Sequence, residues 1–434
     1  MPVKWMVLGI AVLMYTLIVI FPDRKSWSAL GAALLMILVR AGGAQDTFFS
    51  LIREAGTELI NWDVLMIFVG SLVIAELFIY SRVPAVIADS LVTWSPNVGI
   101  AMVLILVMTG IISAFVENVA TVLVVAPIAM ALCTKLNLNP ICFMTGLAVM
   151  ANLQGTATLV GDPPSMIFAD YAKYGFNDFF VYHGRPSIFF AVQVGMAVGA
   201  LFFYWIFAKN GGKKVEVEQE KILSMTPTWL LILMILGLAA ASFVYGGLSL
   251  ASGLIVVFLA LTGLAWFRWK RKESAAKTWE LIKGLDWDTS FFLMGIFVVV
   301  GAVSSVGLLE DFTAFLSRVI GTNALLGFAL IVGVSTLISG FVDNVPYIIV
   351  MLPVAASLSR ALSLNPELYM FGLLVGSCLG GNLTPFGASA NVVSLGILRR
   401  QNITVTFAQW LKIGFPFTLL TTLASALFIW FVWR

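Results

Sequence analysis

The chain has 434 residues, of which 60 % are hydrophobic and 11 % charged, with a formal net charge of +3 and a mean hydropathy of +1.01. About a quarter of a soluble domain is charged, so this composition excludes a water-soluble globule, and the small net charge without a Lys/Arg-rich tail excludes a nucleic-acid partner. Three cysteines (Cys133, Cys142, Cys378) and one histidine, His183, supply neither a disulfide framework nor a histidine-based metal site.

Segments apolar enough to cross a hydrocarbon core of about 30 Å are predicted at 5–21, 28–40, 63–80, 141–165 and 187–208. They recur at 229–247, 249–267, 288–308, 367–398 and 413–432. The first lacks a basic leader and a small-residue cleavage site, and reads as a retained span and not a signal peptide. Two further stretches, 97–133 and 323–359, are apolar but interrupted by an acid–amide pair. Their central parts are copies of each other. ISAFVENVATVLVVAPIAMALCTKLNLNP at 112–140 returns as ISGFVDNVPYIIVMLPVAASLSRALSLNP at 338–366, identical at 14 of 29 positions after a shift of 226. The interrupting pair is Glu117-Asn118 in one copy and Asp343-Asn344 in the other. The duplication extends to Asn61-Trp62-Asp63 and Asp286-Trp287-Asp288, each opening a span, with Gly70 and Gly295 following. Asp63 and Asp288 read as first-turn acids that satisfy free N–H groups at the positive end of a helix.

A backbone turn at membrane depth is tolerated only inside protein or beside water, so each acid–amide stretch is read as a re-entrant hairpin. Five spans and one hairpin then make up each half, and because five is odd the second half must lie inverted. The predicted fold is an all-α polytopic membrane protein of two inverted-topology repeats, 1–208 and 229–434, with broken helices at the midplane. A hydrophilic cytoplasmic linker at 209–228 joins them. The cytoplasmic loops of this topology, 22–27, 81–96, 134–140, 209–228, 268–287 and 399–412, hold 17 of the 25 Lys and Arg residues. That bias follows the positive-inside rule.

After each hairpin comes a span that cannot be one plain helix: ANLQGTATLVGDPPS at 151–165 and GSCLGGNLTPFGASAN at 376–391. Paired Gly, Pro and hydroxyl residues free backbone carbonyls and amides there, and half-helix ends suit ions. The candidate ion- or substrate-binding residues are Glu117, Asn118, Asn152, Thr156, Thr158 and Asp162 from the first half. The second half offers Asp343, Asn344, Asn382, Thr384, Ser389 and Asn391. This hard, oxygen-rich set suits Na⁺ or protons, with Glu117, Asn118, Asp343 and Asn344 as candidate Na⁺ ligands. Burying an acid in a span costs about 2.5 kcal/mol or more, so Glu117 and Asp343 are read as functional. Asp162 has an alternative as a turn residue near the outer surface. The amides and hydroxyls have an alternative as hydrogen-bonded glue between helices. Glu76, also within a span, is expected to pair with Arg82, and Cys378, at the position matching Asn152, is expected to be a packing residue.

The strings VENVAT at 116–121 with Pro127 following, GTATLVGDPP at 155–164 and GGNLTPFGASAN at 380–391 resemble the ion transporter superfamily. The chain most resembles the branch of arsenite permeases, D-type sodium/proton antiporters and the melanosomal P protein, related to the divalent anion:sodium symporters. The resemblance covers nearly the whole chain. It implies a scaffold domain near a homodimer interface, a transport domain of hairpins and broken spans, and elevator-type alternating access. Dicarboxylate members carry Ser-Asn-Thr at both hairpin tips, whereas this chain has Glu117-Asn118-Val119 and Asp343-Asn344-Val345. Two fixed acids would repel a di- or tricarboxylate at low dielectric.

The expectation is therefore a multi-pass secondary transporter of the plasma (inner) membrane that exchanges a small cation for protons. The coupling ion is H⁺, with Na⁺ as a candidate; no other cofactor and no enzymatic activity are expected. Arsenite/proton efflux is the second reading and carboxylate/Na⁺ symport the third. An intramembrane aspartyl protease needs Tyr-Asp and Gly-x-Gly-Asp pairs that the tip acids lack, and no Walker A string supports ATP-driven pumping.

Overall fold

A computed structural model describes residues 3–21, 24–43, 48–208, 220–247, 249–320 and 323–434. The first half contains α1 (Val3–Ile20), α2 (Lys25–Gly43), α3 (Phe48–Glu54), α4 (Trp62–Tyr80) and α5 (Val83–Trp94). It continues with α6 (Val98–Ser113), α7 (Asn118–Leu136), α8 (Ile141–Gly155), α9 (Pro163–Ala172) and α10 (Ile188–Phe207). The second half gives the same order: α11 (Thr226–Tyr245), α12 (Leu250–Ala265), α13 (Ala275–Gly284), α14 (Trp287–Ser305) and α15 (Leu308–Ile320). It ends with α16 (Ala324–Ser339), α17 (Asn344–Ala361), α18 (Pro366–Gly380), α19 (Ser389–Arg400) and α20 (Phe407–Trp433). Among the described residues, eight helices are long and apolar enough to cross a membrane. The small departure from an all-α chain is a ribbon pairing Val181–Tyr182 with Arg185–Pro186. His183 and Gly184 close it with φ of 48° and 74°, the left-handed pair that a two-residue hairpin turn requires.

The sequence starts equivalent helices in equivalent ways. The Asn61 side chain accepts from Val64 N at 3.0 Å and Asp286 from Thr289 N at 2.9 Å, capping α4 and α14. Asn97 and Asn323 cap α6 and α16 by accepting from Ile100 N at 2.9 Å and Leu326 N at 3.0 Å. Each satisfies an N–H that a helix start leaves open.

Packing sorts the helices into two groups, and each group draws on both halves. In one group α2 lies on α14 and α12 on α4, flanked by α1 and α11. In the other, α6 packs on α8, α16 on α18 and α10 on α20, while α7 meets α19 and α9 meets α17 across the halves. Helices α5 and α15 touch members of both groups.

Two expectations need correction here. Residues 83–94 form α5, inside the stretch expected to be a cytoplasmic loop. Arg82, at a φ of 60°, ends α4 and Pro84 sits in the first turn of α5; twelve residues rise only about 18 Å, too little for a span. Glu76 does not pair with Arg82 either. The left-handed turn at Arg82 takes its guanidinium to Glu220, with Nη1 and Oε2 at 2.6 Å.

The expected linker lies outside the described residues over 209–219. From residue 220 the chain is tied back to the first half, with Glu220 N donating to Asp89 Oδ2 at 2.9 Å and Leu223 N to Ser81 O at 3.0 Å. In the loop before α13, the Tyr80 hydroxyl and Lys277 hold the Glu273 carboxyl below its usual range.

Candidate functional site

Helix α8 stops at Gly155 and α9 begins at Pro163; α18 stops at Gly380 and α19 begins at Ser389. The chain between them is non-helical apart from one 3₁₀ turn, Gly381–Leu383. Glycine lets backbone cross backbone at these breaks: a Cβ on Gly387 would lie 2.6 Å from Gly381 O and 2.8 Å from Gly340 O. A Cβ on Gly155 would collide with the Asn118 amide, 2.8 Å from its nitrogen. We therefore expect Gly155→Ala to push Asn118 aside and raise the substrate KM several-fold with little loss of folded protein. An unchanged KM would mean that Asn118 takes no part in binding.

The two hairpin tips are built alike. Glu117 Oε2 accepts from Ala120 N at 2.9 Å, and Asp343 Oδ1 accepts from Val345 N at 3.0 Å. Each acid thus caps the helix that follows it. Behind the tips, Ser113 Oγ donates to Asn118 Oδ1 at 2.7 Å, and Ser339 makes the same contact with Asn344. Thr158 donates to the Ala114 carbonyl and Thr384 to the Gly340 carbonyl, again matched between the halves.

Tips and breaks together surround a cavity of about 720 Å³. Seven of the twelve candidates line it: Glu117, Asn118, Asn152, Asp162, Asp343, Asn344 and Ser389. Asp162 is a cavity residue, not a surface turn; it lines the same space as Glu117, Asn118, Asp343 and Lys25. The other five candidates do not line the cavity. Thr158 and Thr384 are taken up by the hairpin carbonyls, and Thr156 is fully buried. Asn382 and Asn391 belong to a buried amide cluster centred on Asn152. The Asn152 nitrogen donates to Asn382 Oδ1 at 2.8 Å and Asn391 Oδ1 at 2.9 Å. Asn391 in turn donates to the carbonyls of Gly381 and Thr384, both at 2.9 Å. These contacts stitch α8 to the broken region between α18 and α19.

The cavity also holds residues that sequence reasoning did not place at the site: Lys25, Asp286, Asp288 and Thr289. Lys25 begins α2, and its Nζ lies 3.3 Å from Asp343 Oδ2 and 5.3 Å from the centre of the Phe292 ring. Asp288, read as a helix-start acid, accepts a hydrogen bond from Ser26 Oγ. The signal that could have found Lys25 is a break in the duplication, because the matching helix α12 opens on Leu250-Ala251-Ser252 and carries no basic residue.

Among the described residues, five carboxylates (Glu117, Asp162, Asp286, Asp288, Asp343) line this space against the single ammonium of Lys25. The starts of α7, α9, α17 and α19 add roughly half a positive charge each, which leaves a field that favours cations. Among the described residues no three His, Cys, Asp or Glu side chains converge into a metal cluster. A bound cation would draw on amide and backbone oxygens as well as on one or two of the acids. Cys378 is buried and lies outside the cavity, as a packing thiol should.

A family model described as citrate transporter matches residues 15–376 and 276–434. An uncharacterized transporter of Mycobacterium tuberculosis is 31 % identical over 98 % of both chains. The P protein of Mus musculus is 26 % identical over 94 % of this chain and 58 % of its own length. In fold, the chain is similar to the crystal structure of the Alcanivorax borkumensis YdaH transporter, with a TM-score of 0.62 at 15 % identity, covering 96 % and 97 % of the two chains. It is also similar to MtrF of Neisseria gonorrhoeae, with a TM-score of 0.57 at 16 % identity over 98 % and 97 %. Helices long and apolar enough to span a membrane, a family match over residues 15–434 and a transporter relative along nearly the whole length lead to one conclusion: the chain is a multi-pass membrane transporter, not an enzyme, and belongs to the citrate transporter family.

Proposed function

We propose that the protein is a cation-coupled secondary transporter in which protons and a small metal cation, Na⁺ first, compete for Glu117 and Asp343 and are exchanged across the membrane. The observation that carries this reading is the excess of carboxylates around one cavity, at the tips of two duplicated hairpins. Intramembrane acids in such numbers are costly to keep unless they bind an exchangeable charge. In this scheme the repeats are inverted. The group containing the hairpins and broken helices moves as one body against the α2–α14 and α4–α12 layer, in a homodimer. Amides of Asn118 and Asn344 and carbonyls at the helix breaks complete the ion's shell.

A second reading has an observation of its own. Lys25 and four helix N-termini face the same cavity, and the family is described as citrate transporters; both suit a carboxylate that travels together with cations. The discriminating experiment follows internal pH in proteoliposomes on pulses of Na⁺, Li⁺, K⁺, arsenite or citrate. Proton movement on a cation pulse alone supports exchange. Silence to all three cations with a response to citrate replaces exchange by carboxylate cotransport, and a response to arsenite alone removes both readings.

A further inference from the structure

The two hairpin tips repeat each other in sequence and in capping, yet their surroundings differ in charge. Asp343 meets Lys25 at 3.3 Å, and the first turn of its helix is held a second time, where the Tyr15 hydroxyl donates to Pro346 O at 2.9 Å. Both tethers come from α1 and α2, which belong to the other packing group. At the first tip the helix matching α2 is α12, which opens on Leu250-Ala251 and offers no cation in place of Lys25. Val116 and Ala120, which flank Glu117, pack instead with Ala75, Phe78 and Val83, and Leu231 from α11 lies against them. Among the described residues no cationic side chain forms an ion pair with Glu117. The Lys25 side chain keeps only 15 % of its surface exposed and Asp343 28 %, so the pair is shielded but open to the cavity.

We propose that Lys25 is a tethered counter-cation that occupies Asp343 in the ion-free cavity, so that an incoming cation must displace an ammonium at the second tip while it meets an unpaired carboxylate at the first. The proposal rests on the cation-coupled reading and adds a division of labour to it. Glu117 is the exchangeable carrier, and Asp343 is the sensor whose release from α2 frees the second hairpin to move. An ammonium suits this role because it is a compact point charge on a flexible stem, which a metal cation can replace without rearranging the cap on Val345 N. Ser26, next in the chain, is held by Asp288, so the displaced Lys25 stays anchored near the carboxylates of Asp286 and Asp288.

The test uses the intact protein in proteoliposomes and reads labelling of the Lys25 amine by an amine-reactive reagent, by mass spectrometry, with and without saturating Na⁺, Li⁺ or K⁺. Labelling should rise several-fold with whichever cation is transported, and should be high without any cation in Asp343→Asn. Lys25→Met should lower the KM for that cation by about tenfold, the worth of a charge-assisted contact no longer competing, while Lys25→Arg should retain the wild-type KM to within a few-fold. Labelling that responds to Asp343→Asn but not to a cation that is transported would overturn the proposal, leave a purely structural ion pair and spare the cation-coupled reading. Transport of none of the three cations by the wild type would remove that reading and the proposal with it.

Discussion

Asp343→Asn should abolish coupled transport, lowering initial rates about 100-fold or more, while the protein still inserts and folds. Fold and function separate at this residue because the carboxylate does two jobs with two oxygens. Oδ1 accepts from Val345 N and caps α17, and Oδ2 faces Lys25 and the cavity. Asparagine keeps a cap acceptor of nearly equal quality but removes the charge that holds either an ammonium or an ion. Glu117→Gln should behave the same way, since Glu117 caps α7 through Ala120 N. The comparison is Arg82→Ala, which breaks an ion pair whose side chains are 52 % and 47 % exposed. Such surface pairs are worth about 1 kcal/mol at most, so transport should stay within about twofold of wild type. Uptake in proteoliposomes and gel filtration in detergent check all three. Wild-type flux through Asp343→Asn would sink the assignment of Asp343 to the cation site.

Asn152→Leu should produce the largest loss of stability in the site. It takes the donor away from two fully buried acceptors, Asn382 Oδ1 and Asn391 Oδ1. Each orphaned oxygen costs roughly 1–3 kcal/mol, and the remaining amides of the cluster already donate to the carbonyls of Val149, Gly381 and Thr384. We expect a clear fall in the thermal midpoint in detergent and a low yield of inserted protein. Any Asn152→Leu protein that does fold should show a changed KM as well, because Asn152 also lines the cavity. Normal stability with lost transport would reverse the emphasis, making Asn152 a ligand first and a structural link second.

Much of this architecture is legible in the linear sequence because duplication and hydrophobic length are both local signals. The hairpins at Glu117 and Asp343, the two broken spans and the order of the long helices follow from them. What escapes is whatever depends on the third dimension. Lys25 reads as one more cytoplasmic loop charge, since nothing within several residues of it is acidic except Asp23, and its partner lies more than 300 positions away. Asp288 reads as a cap because a first-turn acid has an adequate local explanation, although its neighbour Asp286 makes the cap and Asp288 turns to Ser26. Helix α5 escapes because it is too short to register as a span. Thr158, Thr384, Asn382 and Asn391 share residue type and depth with genuine cavity residues. Composition cannot tell a hydroxyl or amide turned to a ligand from one spent on a neighbouring carbonyl.

The exchange of helices between the halves has a consequence for how the chain is made. Because α2 lies on α14 and α12 on α4, the first half leaves the ribosome with one surface of α2 and one of α4 still waiting for partners that have not been synthesised. Until α12 and α14 arrive, those surfaces face lipid or other nascent chains. Completion of the fold is therefore a late, post-insertion event, and a chain truncated after the first half should be recognised as unassembled and degraded. The same geometry means that the two halves, supplied as separate polypeptides, carry all the matching surfaces needed to find each other in the membrane.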